Sequence, residues 1–282
     1  MSVELVNAYW TSAGPVDVHA GREWSLFDFA DRCAEAGRAG YRGIGLWHAD
    51  IEHVLERRTL REMKQLLDDN GLAYVELEFL WEWFRDEGDE ERKAADATRR
   101  LLFEAAAGLD AHHIKAGNIP GTPCELPLLT ERYAELCADA AQHTSARVLY
   151  EFMPFDVNVN SIETALAVVD AAEDSGVVID TWHMSKLGIA PDALRRIPLE
   201  QLGWVELSDG RFENMPDLVE ETVSHRLLPG DGEFDIRGYV EVCGDMGYAG
   251  PWGVEVLSDD LRRLPLAEMY RRSHDATAAQ FG

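Results

Sequence analysis

Short apolar runs alternate with longer amphipathic stretches along the whole chain. Eight runs read as strands: VELVNAYW from Val3, RGIGLWH from Arg42, AYVELEF from Ala73, AHHIKAG from Ala111, ARVLYEFM from Ala146, GVVID from Gly176, GWVELSD from Gly203 and PWGVEVLS from Pro251. Val177 to Ile179 are apolar at consecutive positions, the mark of a strand buried on both faces in a parallel sheet. Between the runs the pattern predicts helices over 25–39, 51–70, 90–107, 128–143, 161–174, 191–197 and 235–246, and a last one from Leu261 to about Ala279. Pro191 suits a first helical turn, and Ser161 offers a hydroxyl cap followed by the early acid Glu163. Gly40, Gly71, Gly108, Gly176 and Gly247 mark turns before the strands that follow.

Eight strands and eight helices in strict alternation point to a parallel sheet, either closed as a barrel or open and doubly wound. No G-x-G-x-x-G follows the first strand and no G-x-x-x-x-G-K-[ST] occurs, which counts against a nucleotide-binding open sheet. The expected architecture is therefore an α/β fold, a (β/α)8 TIM barrel, with residues 1–282 as a single domain. The stretch 210–232 is long and helix-poor, and in a barrel such a loop belongs to the active-site face.

Charge narrows the partners. The chain carries 52 acidic against 26 basic side chains, a formal net charge of −26. Most of such a surface repels a phosphate backbone, so no nucleic-acid partner is expected. The start, MSVELVNAYW, lacks the pattern of a signal peptide, and no apolar run is long enough for a membrane span. Four scattered cysteines without a C-x-x-C pair fit reduced thiols, and the expected location is cytoplasmic.

The strand ends hold the candidate chemistry. Glu151 closes the fifth strand, Asp180 the sixth with His183 just beyond, Glu206 lies in the seventh and Glu255 in the eighth. Taken singly, each has a plainer reading: Glu206 as a surface residue, Asp180 as a helix cap, Glu255 as the partner of an arginine. Taken together, four acids at equivalent heights on successive strands would repel one another unless a cation lies between them, so a divalent metal ion is expected. Carboxylate oxygens favour Mn²⁺ or Mg²⁺, while a histidine ligand would draw the site toward Zn²⁺ or Co²⁺.

Other residues are candidates as well. His225 and Arg226, in the long loop, could close over a substrate, though a lone loop histidine is as readily a surface residue. Glu76 and Glu78 share one strand face, so one or both look into the barrel, with an ion pair to Lys115 as the alternative. His48 ends the second strand as a pocket-wall residue. Trp10, Trp47, Phe79, Trp81, Trp83, Phe152, Phe155 and Trp182 gather at strand ends. Core packing explains most of them, yet so many indoles near a mouth suggest room for an apolar or aryl group. No cluster of Lys and Arg at those ends would hold a phosphate.

At YEF (Tyr150–Phe152), IDTWH (Ile179–His183), ELSDGR (Glu206–Arg211), LPGDGEFD (Leu228–Asp235) and GYAGPWGVEV (Gly247–Val256), the sequence resembles the sugar-phosphate isomerase/epimerase family, the xylose-isomerase-like barrels. The resemblance spans nearly the whole chain. It implies one divalent ion held by the last four strands, at Glu151, Asp180, Glu206 and Glu255. The family pattern usually has histidine at position 206, so the glutamate here leaves that ligand, and the metal's identity, open. The resemblance further gives His183 and Arg211 to substrate oxygens, and proton exchange on opposite substrate faces to Glu151 and Glu255.

The implied activity is isomerisation or epimerisation next to the carbonyl of a sugar, keto-sugar or polyol derivative, through a metal-bound enediolate. The alternative is a lyase on the same scaffold, a dehydratase or a keto-glycoside-cleaving enzyme, since the same enediolate can expel a β-substituent. A phosphodiesterase similar to the apurinic-site nucleases would need more histidines and a basic face. A non-catalytic binding barrel would have no use for carboxylates on all four strands. Barrels of this class are often dimers or tetramers, and by that analogy a homo-oligomer is open to this chain, though its sequence does not fix the number of subunits.

Overall fold

The computed structural model describes residues 3–16, 21–119 and 121–282. Eight parallel strands close into a ring in chain order: β1 (Leu5–Asn7), β2 (Gly43–Trp47), β3 (Tyr74–Leu80), β4 (His113–Ala116), β5 (Arg147–Glu151), β6 (Gly176–Asp180), β7 (Leu202–Leu207) and β8 (Trp252–Val254). The ring closes where Leu5, Val6 and Asn7 of β1 pair with Trp252, Gly253 and Val254 of β8. The (β/α)8 barrel read from the alternation is the fold observed.

Because strand side chains alternate, residues two apart share a face. The outward set, including Val148, Tyr150, Val177, Ile179, Val205 and Leu207, packs under the surrounding helices in one large core. The inward set changes character along the barrel axis. Val6, Leu149, Val178 and Trp204 form an apolar plug. One step further along each strand, toward its carboxyl end, the same parity turns Glu76 and Glu78, Lys115, Glu151, Asp180 and Glu206 inward, all buried.

Three helices differ from expectation, each for a local reason. The stretch 51–70 splits into His48–Leu55 and Leu60–Asp69. Thr59 starts the second, its hydroxyl accepting from the Glu62 N–H while the Glu62 carboxylate accepts from the Thr59 N–H, so the two cap each other. The last helix breaks into Asp259–Arg262 and Leu266–Ala278, as Pro265 requires, since it has no N–H to continue the first segment. The 191–197 stretch is a 3₁₀ turn, Pro191–Arg196.

The long loop after β7 is less bare than expected, for it carries a helix, Leu218–Ser224. The loop is held at both ends. Asp209, next to the end of β7, accepts from the N–H groups of Gly210, Gly230, Gly232 and Phe234 at 2.8–3.0 Å. Antiparallel bridges join Asp209 to Leu227 and His225 to Ser258. Among the described residues, no helix is long and apolar enough to cross a membrane.

Candidate active site

At the carboxyl ends of the strands lies a cavity of about 190 Å³, open to solvent. Trp10, Trp47, Phe79, Trp81, Met153, Phe155 and Leu257 form its apolar walls, and Glu78, Glu151, His183, Arg226 and Glu255 its charged floor. The aromatic wall is continuous: Trp10 meets Trp47 edge-on at 4.8 Å between centroids, and Trp47 meets Trp81 at 5.4 Å.

The four acids converge. Glu151, Asp180, Glu206 and Glu255 each present an oxygen, all within 4.8 Å of one another, and a ring nitrogen of His183 lies equally close to oxygens of Glu151 and Asp180. Their arrangement follows from register. Asp180 pairs with Glu206 across β6 and β7, and Glu206 pairs with Gly253 across β7 and β8. A Cβ at Gly253 would come within 2.7 Å of the Glu206 Cγ, so glycine there makes room for the acid.

The expectation that only a bound ion could relieve four converging acids needs one correction. The chain supplies two cations of its own. Lys115 Nζ lies 2.8 Å from Glu255 Oε1, 3.0 Å from Glu206 Oε2, 3.5 Å from Glu78 and 3.6 Å from Glu151. Arg226 Nη1 donates to Asp180 Oδ2 at 2.6 Å and to Glu255 Oε2 at 3.0 Å. Two cations do not balance the buried acids, which also include Glu76 and Glu78. The surplus of oxygen donors, with an unpartnered Glu78 Oε1 among them, is what a divalent cation needs. The cluster therefore fits a divalent metal site.

The field sorts the acids into two kinds. Burial alone would raise Glu151, but Lys115 and His183 outweigh it and hold the carboxyl below its ordinary value. Asp180 is likewise held down, against burial, by Arg226 and His183. Burial, aided by the charges of Glu151 and Asp180, prevails over Lys115 and Arg226 at Glu255 and lifts it to about 7. Glu78 is also lifted to about 7 and Glu76 to about 8, burial being the first cause in each. Lys115 stays charged: burial opposes this, but Glu151, Glu206, Glu255 and Glu78 surround it.

The remaining candidates divide. His183 Nε2 sits 3.3 Å from Glu151 and 3.6 Å from Asp180, on the cavity floor. Glu78 and Lys115 are inside the barrel, close to each other. His48 lies behind the wall, its ring 5.1 Å from that of Trp81. Arg211 and His225 stand away from the floor. Arg211 is 68% exposed beside Glu233, and His225 is 47% exposed beside Glu220. Arg226, next to His225, is only 3% exposed and reaches the floor instead. His225 ends the helix Leu218–Ser224 and stays at the surface, while Arg226, whose N–H donates to Leu257 O, carries its side chain inward. Glu23, which accepts from Trp47 Nε1 at 2.8 Å, also lines the cavity. No signal in the sequence marked it.

Comparisons with known proteins agree with this geometry. A family model described as xylose isomerase-like TIM barrel matches residues 33–280. The 3-dehydroshikimate dehydratases of Pseudomonas aeruginosa and Pseudomonas putida are each 27% identical over 234 residues, covering 80% of this chain and 36% of the relative. The chain thus spans about a third of the length of those relatives. Among solved structures, a xylose isomerase-like TIM barrel/4-hydroxyphenylpyruvate dioxygenase fusion protein superposes with a TM-score of 0.82 at 19% identity, over 98% of this chain and 42% of the other. D-psicose 3-epimerase superposes with a TM-score of 0.72 at 18% identity, over 98% and 97%. At such identities the superpositions speak for the fold.

Proposed function

The chain belongs to the xylose isomerase-like TIM barrel family, and from that footing we propose that it is a metal-dependent isomerase or epimerase acting next to the carbonyl of a sugar, keto-sugar or polyol derivative. The observation that carries the reading is the convergence of Glu151 and Glu255 on the cavity floor, their oxygens within 4.8 Å of each other. Two carboxyl groups meeting at one place suit a base and an acid working on one substrate.

The ion, Mn²⁺ or Mg²⁺, would be held by Glu151, Asp180, Glu206 and Glu255, and there it would supply Lewis-acid polarisation of a substrate carbonyl. Glu151 takes the proton from the carbon next to the carbonyl. Glu255 returns a proton from the other side. His183, within reach of Glu151, donates to a substrate oxygen, and Arg226 fixes Asp180 and Glu255 in place. The aromatic wall excludes water and receives an apolar or aryl portion of the substrate.

A second reading, a lyase, is favoured by the dehydratase relatives. In it Glu151 removes the same proton and Glu255 protonates a departing β-hydroxyl or aryl group. Incubation with Mn²⁺ in D₂O and a panel of keto-sugars and polyol ketones, followed by proton NMR, tests both readings. Deuterium entering recovered ketone or its epimer supports the isomerase. A conjugated, ultraviolet-absorbing product without exchange supports the lyase. Neither outcome across the panel, with the ion demonstrably bound, would refute carbon-acid chemistry here. Turnover of simple sugar phosphates with no turnover of aryl-bearing ketones would refute the role given to the aromatic wall.

A further inference from the structure

One acid of the cavity stands apart from the floor. Glu23 lines the aromatic side, and its Oε2 accepts from the indole N–H of Trp47 at 2.8 Å. Trp47 is the middle panel of the wall, with Trp10 on one side and Trp81 on the other. The segment that carries Glu23 is pinned at three successive residues. Tyr9 donates its hydroxyl to the Glu23 carbonyl at 2.7 Å, Trp24 stacks on His53, and the Ser25 N–H donates to Asp50 at 2.9 Å. The carboxylate is thus held against the edge of an indole, and its other oxygen, Oε1, takes no bond among the described residues. Among the described lining residues Arg226 is the one arginine or lysine, and Asp180, Glu255 and Thr222 engage its guanidinium. No described lysine or arginine of the lining is free to neutralise an anion at the wall.

We propose that Glu23 determines specificity: it accepts a hydroxyl on the part of the substrate that rests on the indoles, and it turns away substrates with a carboxylate or phosphate there. This rests on the reading above, and narrows its substrate class to ketones whose apolar or aryl end is hydroxylated and uncharged. Stacking on indoles favours any flat apolar group about equally, so the wall alone discriminates poorly. A fixed acceptor discriminates well, because an analogue without the hydroxyl displaces water from the carboxylate and returns no bond. A negative group in the same place meets the Glu23 charge between apolar walls, where repulsion is stronger than in water. The bond to Trp47 fixes the carboxylate's direction, so the acceptor is in place before the substrate arrives.

Four 1-hydroxy-3-arylpropan-2-ones, with phenyl, 3-hydroxyphenyl, 4-hydroxyphenyl or 4-carboxyphenyl as the aryl group, test this by calorimetric titration in the presence of Mn²⁺. All four offer the same carbonyl and neighbouring hydroxyl, so differences in affinity come from the aryl end. One of the hydroxyphenyl ketones binds about ten- to a hundredfold tighter than the phenyl ketone, the range for a bond to a charged group. The carboxyphenyl ketone binds at least about tenfold more weakly than the phenyl ketone. Glu23→Gln keeps an acceptor for Trp47 but loses the charge. The hydroxyl preference then shrinks to about threefold, the carboxylate penalty vanishes, and affinity for the phenyl ketone is unchanged. If Glu23 only props up Trp47, Glu23→Gln alters neither discrimination and the proposal is overturned. A wild type that binds all four alike, or none, overturns it as well. Should Glu23→Gln fail to fold, Glu23→Leu decides: loss of both discriminations upholds the proposal, and equal weakening of all four ketones overturns it. Enzyme-dependent deuterium exchange or elimination on the same ketones keeps the underlying reading separate. Either reaction without the aryl preferences overturns only the role of Glu23, and the preferences without either reaction overturn only the carbon-acid chemistry.

Discussion

The carboxyl ends of β1, β2 and β3 and the residues just beyond them line the mouth with Trp10, Trp47 and Trp81, while those of β5 to β8 and the loop after β7 bring Glu151, His183, Arg226 and Glu255 to its floor. One ring of strands builds both sides, yet the first half supplies all the indoles of the wall and the second half all but Glu78 of the floor's charge. Aromatic faces bind a substrate about equally before and during reaction, which lowers KM. Ionised groups aimed at a reacting carbon act where charge develops, which raises kcat. The two halves should therefore fail in different kinetic parameters when damaged.

The sharpest break is expected on the charged side. Glu151→Gln keeps the shape of the floor but loses the base, and kcat should fall by about 10²- to 10⁴-fold with little change in KM. A drop confined to KM would dissolve the distinction between the halves. Stability separates two arginines of one loop. Arg226→Ala strands Asp180 and Glu255 in the interior and should cost about 3–5 kcal/mol in urea unfolding. Arg211→Ala, which loses only an exposed contact 3.5 Å from Glu233, should cost less than about 0.5 kcal/mol.

His48 gives a pH signature on the aromatic side. Burial lowers its pKa to about 4, below the value of about 6.5 for a free imidazole. The fold therefore favours the neutral ring, and the unfolded chain binds more protons between those two values. His48 contributes full stability above about pH 6.5, which is lost as pH falls toward 4; by pH 5 the loss should be about 2 kcal/mol. His48→Gln should flatten that part of the curve of urea midpoint against pH. The mildest kinetic change is Trp81→Ala, which removes a half-buried indole from the wall. KM for an aryl-bearing substrate should rise about tenfold, the worth of one good ring contact, with kcat nearly unchanged. An equal fall in kcat would show that the wall also orients the reacting carbon.

Much of the floor was legible in the sequence because parity along a strand is local. Once Val177 to Ile179 read as a buried strand, Asp180 had to stand at its end, and the same logic brought Glu151, Glu206 and Glu255 to the ends of their strands. The ring needed only the alternation of eight runs. Arg226 was harder, because its direction depends on bridges to segments far along the chain, His225 to Ser258 and Leu227 to Asp209. The family resemblance gave Arg211 to substrate oxygens, yet it turns to Glu233. Nothing within a few residues of either arginine distinguishes them. The pairing of Lys115 with Glu78 was readable from adjacent strands, but its reach to Glu151, Glu206 and Glu255 was hidden, since strand order fixes which side chains face inward but not which of them touch.

Asp209 sits where β7 gives way to the loop, and its carboxylate gathers four backbone N–H groups from both ends of a span of more than twenty residues. A chain tied at its two feet can change in the middle at small entropic cost, because closure has already been achieved. Phe212 to Asp217 form that exposed middle. The barrel therefore holds a cassette that can be lengthened or rewritten to accept new molecules while Arg226 stays moored to its acids.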